Sequence, residues 1–166
     1  MLAIAFFVRL VSKGPAIFWT DRIGLDNRIF KMAKFRTMKE DTPQIATHLM
    51  DNPEDYFIPG GAFLRKYSLD ELPQLFNVLK GEMSFVGPRP ALFNQNDLIT
   101  LRTSKNIQKL VPGVTGWAQV NGRDDLAIPV KVSVEEYYLN HRSFVLDLYI
   151  IFLTVIKVLK REGVQH

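Results

Sequence analysis

Apolar residues along this chain fall into stretches with different spacing, and each spacing predicts a different element. From Met1 to Val11 the run is nearly continuous, interrupted by Arg9 and followed by Lys13. Eleven residues of helix reach about 17 Å, well short of a ~30 Å hydrocarbon core, so this segment cannot span a bilayer. Gly14-Pro15 ends it. Extended segments are then predicted at Ala16 to Thr20 and at Ile29 to Met38. The turn-forming run Arg22-Ile23-Gly24-Leu25-Asp26-Asn27 lies between them, which reads as a β-hairpin. Residues 39–61 are polar, with Pro43, Pro53, Pro59 and Gly60-Gly61, and predict a short helix and a loop.

The clearest helical signal follows. Ser68-Leu69-Asp70-Glu71 has the form of a capping box, with Ser68 as N-cap and Glu71 three residues on. Leu72, Leu75, Phe76 and Leu79 then recur at helical spacing, and Gly81 is placed to end the helix. Pro73, just inside, removes one backbone bond from the first turn. Gly87-Pro88-Arg89-Pro90 reads as a rigid extended loop. A polar helix is expected at about residues 92–109, a tight loop at Pro112 to Trp117, and a helix at Val134 to Asn140. A long apolar helix from Leu146 to Lys160 closes the chain, with Lys157, Lys160 and Arg161 at its basic end. Its spacing suits a core helix whose cations complement the helix dipole, and equally an amphipathic helix lying in a membrane interface. The expected fold class is α+β, a mostly helical single domain with a small β-hairpin.

Composition narrows the chemistry. At 166 residues the chain suits one domain with a moderate core. With 47% hydrophobic and 23% charged residues, neither disorder nor a collagen-like structure fits. The absence of cysteine excludes disulfides, thiolate zinc sites and cysteine nucleophiles. A net charge of +4 favours anionic partners: phosphates, acidic lipid or nucleic acid. The amino end does not read as a secretory signal, because its cations lie inside and after the apolar run rather than before it.

Asp70 and Glu71 are the leading candidates for chemistry. Most acidic pairs in a first helical turn only stabilise the dipole and complete a cap. Here Arg65 and Lys66 lie just before them, Arg89 sits in the proline-framed loop, and Lys34 and Arg36 sit on the hairpin. Five cations near two carboxylates suit a diphosphate and a hard metal ion. Arginine binds phosphate bidentately, and Mg²⁺ prefers oxygen. Gly113, Gly116 and Gly122 do not have the spacing of a dinucleotide fingerprint or a P-loop. Trp117 and Gln119 could stack on and hydrogen-bond a base, although a tryptophan in this setting is more often core. His48, His141 and His166 are scattered and form no metal-ligand set. No nucleic-acid-binding motif is present, so nucleic acid is not an expected partner.

Four motifs in order resemble the bacterial sugar transferase family, the monotopic polyprenyl-phosphate phosphoglycosyl transferases. They are Lys34-Phe35-Arg36-Thr37-Met38, the run from Leu64 to Gly81 around Asp70-Glu71, Ser84-Phe85-Val86-Gly87-Pro88-Arg89-Pro90, and the run from Pro112 to Arg123. The likeness extends from about Ser12 to the end.

The resemblance implies a two-step transfer. Asp70 attacks the β-phosphate of a UDP-sugar, releases UMP, and hands the sugar phosphate to a polyprenyl phosphate. It further implies Mg²⁺ held by Glu71, Arg89 as the phosphate-positioning arginine, and substrate-binding roles for Arg65, Lys34, Arg36, Arg123 and Gln119. Glu135 stands where the family usually carries an aspartate near the site. Residues 1–11 resemble the second half of a re-entrant membrane helix whose first half is absent here, and residues 12–166 the catalytic domain. The expected location is the cytoplasmic face of the inner membrane, held at one leaflet. A catalytically silent membrane-surface scaffold with the same fold is the competing expectation.

Overall fold

A computed structural model describes residues 1–43, 50, 52–122 and 126–160. Arg123, Arg161, His48 and His166, considered above, lie outside the described residues.

Helix α1 (Leu2–Val11) opens the chain. Strands β1 (Ile17–Ile23) and β2 (Ile29–Phe35) form an antiparallel hairpin whose register runs from Ile17 opposite Phe35 to Ile23 opposite Ile29. The first strand therefore runs three residues beyond the expected Thr20. Asp21, Arg22 and Ile23 are paired, and the turn tightens to Leu25–Asn27, with Asp26 and Asn27 in the left-handed region. Asp and Asn tolerate that conformation better than other residues with a side chain. After a short turn at Pro53–Tyr56 come α2 (Gly61–Lys66), a 3₁₀ turn at Leu69–Glu71 and α3 (Gln74–Leu79).

Strand β3 (Ser84–Val86), α4 (Asn96–Ser104), β4 (Gly113–Thr115), α5 (Trp117–Val120), α6 (Ile128–His141) and α7 (Phe144–Lys160) complete the order. A mixed fold in one small domain results, as expected. The polar helix is shorter than its pattern suggested, and α6 starts six residues before Val134, with Pro129 in its first turn, where the missing N–H costs nothing.

A second sheet was not foreseen. β3 and β4 pair in parallel, Ser84 opposite Gly113 and Val86 opposite Thr115. Three residues per strand carry too little alternation to be seen in sequence. The glycines explain the pairing: a Cβ on Gly113 would stand 2.1 Å from the Gly87 nitrogen, and one on Gly116 would stand 2.0 Å from the Gly87 oxygen. Glycine is required so that the two backbones can approach.

Two apolar clusters organise the molecule. Val86, Leu98, Ile107, Val120, Val132 and Ile150 form the larger, between the second sheet and α4–α7. Val8, Phe35, Ile58 and Leu64 form the smaller, clamping α1 to the hairpin and α2. The 3₁₀ turn carrying Asp70 and Glu71 lies between them in sequence, with Leu69 and Leu72 packed on the smaller cluster.

Both helices with ambiguous patterns are two-sided. In α1, Val8 is fully buried while Leu2, Phe6 and Leu10 are exposed, one turn apart. In α7, Ile150 is buried while Phe144, Leu148, Phe152, Val155 and Leu159 form an exposed apolar stripe. No helix among the described residues is long and apolar enough to cross a membrane.

Candidate active site

Asp70 and Glu71 do not sit in the first turn of a regular helix. Ser68 adopts φ 53° and ψ 22° and makes no side-chain cap, so the expected capping box is absent. Pro73 becomes the residue that precedes α3, and the helix begins at Gln74. The physical reason lies in the side chain of Glu71. It is drawn across to cations on other elements instead of back to its own turn. Lys34 Nζ donates to Glu71 Oε1 at 2.7 Å, and both terminal nitrogens of Arg89 approach the same oxygen at 3.3 Å. Lys34 and Glu71 are both largely buried, which strengthens their attraction relative to a surface pair.

Asp70 is 5% exposed, and Ser68 and Glu71 of the same segment line an open cleft. Burial pushes its carboxyl above the usual aspartate range. Lys34 pulls it back most strongly, Glu71 pushes up again, and Arg65 and Arg89 draw it down. Lys34 is held below the ordinary lysine value, chiefly by burial, with Glu71 opposing. Carboxylate and ammonium are thus each eased toward neutrality by desolvation, and held near ionisation by the other.

The cleft has a volume of about 380 Å³. Its lining combines polar Ser68, Glu71, Arg89 and Gln119 with apolar Leu72, Leu75, Phe85, Val114, Ile151 and Val155. Lys157 and Thr154 of α7 also face it. That contribution from α7 was not anticipated, because a helix pattern shows which face is apolar but not what it faces. Both amide atoms of Gln119 are buried without a hydrogen-bond partner, leaving one donor and one acceptor set next to the cleft.

The remaining expected residues part company. Arg65 lies close enough to act on Asp70, and its guanidinium also donates to Met38 Sδ and stacks over Phe57. Arg36 is turned to other tasks: Nε donates to the Pro15 carbonyl, and the guanidinium lies over Phe18 and near Glu40. Glu135 is 1% exposed and makes a two-pronged ion pair with Arg102 inside the larger cluster. Its partner could not have been identified in advance, since a charged residue in a polar helix reads as solvated. Trp117 stacks with Tyr137, which in turn stacks on His141.

No group of three or more His, Cys, Asp or Glu side chains that could hold a metal ion occurs among the described residues. The Asp70–Glu71 pair nonetheless suits Mg²⁺, which takes one or two protein carboxylates when phosphates and water complete its shell.

Comparison with known proteins bears on the whole chain. The family model described as bacterial sugar transferase matches residues 1–161. Over 159 residues the chain is 43% identical to an uncharacterised sugar transferase, EpsL, of Bacillus subtilis strain 168, covering 96% of this chain and 77% of that protein. It is 41% identical over 170 residues to a UDP-glucose:undecaprenyl-phosphate glucose-1-phosphate transferase of Xanthomonas campestris pv. campestris, covering 98% of this chain and 35% of the relative. An undecaprenyl-phosphate glucose phosphotransferase of Komagataeibacter xylinus is 39% identical over 172 residues, 31% of its length. The chain therefore spans only about a third of each of the latter two relatives.

Proposed function

Because this chain belongs to the bacterial sugar transferase family, we propose that it moves a sugar 1-phosphate from a UDP-sugar to a polyprenyl phosphate. The single observation that carries this proposal is the grouping of Asp70 and Glu71 with Lys34, Arg65 and Arg89, of which Glu71 and Arg89 line a largely apolar cleft. A diphosphate needs cations to be approached by a carboxylate, and a prenyl chain needs an apolar wall. Both occur side by side.

In the first step an oxygen of Asp70 attacks the phosphorus that bears the sugar. A P–O bond forms to the carboxylate, the bond between that phosphorus and the bridging oxygen breaks, and UMP leaves with the bridging oxygen. In the second step a phosphate oxygen of the polyprenyl phosphate attacks the same phosphorus. Asp70 is released as carboxylate and a polyprenyl diphosphate sugar forms. Splitting the transfer lets each anion meet the site separately. Arg89 and Lys34 hold Glu71 and lie beside the phosphates' path, where fixed cations stabilise charge that builds up in transfer. Glu71, with Asp70 beside it, would hold Mg²⁺, and the ion supplies charge neutralisation on the diphosphate when bound. Gln119, with its amide unpartnered, is positioned to hydrogen-bond the nucleotide or sugar.

Attachment to one leaflet of the inner membrane, on its cytoplasmic side, belongs to the same proposal. Support comes from the exposed stripes on α1 and α7 and from Lys157 and Lys160 near the end of α7.

The test is UMP release from a panel of UDP-sugars, with and without polyprenyl phosphate and Mg²⁺, alongside intact-mass measurement. Wild type should gain the mass of one sugar phosphate when the acceptor is omitted, and Asp70→Asn should neither gain it nor turn over. An adduct on Asp70→Asn would reassign the nucleophile. A folded protein inactive across the panel would favour the silent scaffold.

A further inference from the structure

Asn77 is 1% exposed and lies in α3, outside the group of charged residues that would meet substrate. Its side chain makes three hydrogen bonds. Oδ1 accepts from the Ala33 N–H at 3.1 Å, while Nδ2 donates to the Lys31 carbonyl at 2.7 Å and to Glu82 Oε2 at 2.7 Å. Two of these are to β2 backbone groups, close before Lys34. The backbone carbonyl of Asn77 accepts from the N–H groups of Glu82 and Met83, at 2.9 and 3.2 Å. Those residues form the turn that feeds β3 and, directly after it, the Pro-Arg-Pro loop carrying Arg89.

One residue is thereby tied to both elements that deliver a cation to the same oxygen of Glu71. A buried amide bonded at both ends has one geometry, and shortening it leaves backbone groups of β2 unsatisfied. We propose that Asn77 is a positioning residue, setting Lys34 on one side and Arg89 on the other against Glu71 by clamping β2 and the β3 approach to α3. This rests on Asp70 and Glu71 being the reacting pair. Asn77 does not touch substrate and acts only through the residues it holds.

A misplacement of about 1 Å at a reacting centre costs on the order of 10²-fold in rate. Asn77→Ala should therefore lower kcat by roughly that factor with KM for the sugar nucleotide nearly unchanged. A core variant distant from these bonds, Leu98→Ala, serves as the control for lost stability. It should not reproduce the kcat effect at an equal fall in Tm.

A double-mutant cycle separates positioning from glue. If Asn77 works through Lys34, the cost of Asn77→Ala should shrink several-fold in a Lys34→Met background, whereas a general structural role would multiply through unchanged. Full multiplication, or a kcat loss matched by Leu98→Ala, would overturn the proposal. Should Asn77→Ala not fold, Asn77→Ser takes the same measurements.

An activity-free readout distinguishes failure of this inference from failure of the proposed reaction. Reductive methylation of Lys34 followed by mass spectrometry, with Lys31 and Lys80 as internal references, should be slow in wild type and faster in the Asn77 variant. Faster labelling with no turnover in wild type would sink the reaction and keep the clamp. Unchanged labelling would sink the clamp.

Discussion

Asp70 is held by opposed forces, and their balance is testable without substrate. Burial is the largest influence and raises its carboxyl above 3.8, while Lys34, Arg65 and Arg89 oppose it. Between the ordinary value and the raised one, the folded chain binds more protons than the unfolded chain, so Asp70 makes stability fall as pH rises through that window. Asn cannot titrate. With metal chelated, denaturant unfolding should show Asp70→Asn gaining on wild type as pH climbs from about 3.5 toward neutrality. A difference that stays flat would mean the carboxyl titrates as an exposed one does. At Glu71 the expectation concerns the ion: Glu71→Gln removes a hard oxygen donor and leaves Lys34 and Arg89 without their shared anion. Turnover should fall on the order of 10²-fold, with a weaker dependence on Mg²⁺. An unchanged metal titration would move the ligand elsewhere. Both carboxylates were evident in the sequence as candidates. Asn77 was not, because an asparagine in an amphipathic run carries no sign of what it bonds to 44 and 46 residues away.

At the scale of elements, two of the polar contacts of α6 with its neighbours are buried or partly buried. Arg102 of α4 and Glu135 of α6 form a buried two-pronged pair. Removing one partner strands a charge, so Glu135→Ala should cost about 3–5 kcal/mol in chemical denaturation. Replacing both at once, Arg102→Met with Glu135→Leu, should cost far less, since no charge is left buried. Equal losses in the two would show that packing, not charge, sets the effect.

The second contact has Tyr138 donating to Asp147 Oδ1 at 2.7 Å, across the α6–α7 corner. Burial, then the bond to Asp147, raises the phenol well above its ordinary 10.0. The sign is that of a raised group: its contribution is complete below pH 10 and fades as pH rises toward the folded value. Tyr138→Phe should therefore be about 1 kcal/mol less stable at neutral pH, and that gap should narrow in alkali. The longer helices were legible from their spacing and the end of α3 from Gly81 at φ 77°, whereas the short α2 and α5 were not, because four to six residues carry too little periodicity. The capping box was not, since a local motif describes what a side chain can reach in its own turn, and Glu71 found stronger partners outside it.

For the whole molecule, the exposed stripe of α7 gives the membrane proposal a direct test. Phe144, Leu148, Phe152, Val155 and Leu159 recur at helical spacing on one face, and lysines stand near its end. Desolvating a charge there is costly, so Leu148→Glu with Phe152→Glu should reduce co-sedimentation with anionic vesicles several-fold while the fold survives. Unaltered binding would place the membrane contact on another face. Sequence spacing left α7 open between core and interface. The structure puts Ile150 in the core, leaves the stripe exposed, and sets Ile151 and Val155 along the cleft.

What the sequence by itself determined is local: the apolar periods, the hairpin, the Gly81 stop after α3, and an acidic pair within a cationic motif set. Each follows from residues a few positions apart. Only the tertiary structure decided which charges meet. Lys34 stands 37 residues from Glu71 and Arg89 stands 18 away, and they converge on one oxygen because β2, the 3₁₀ turn and the β3 loop are packed together. The same packing took Arg36 and Glu135 elsewhere. Charges are paired by distance in the fold, and distance along the chain carries little information about it.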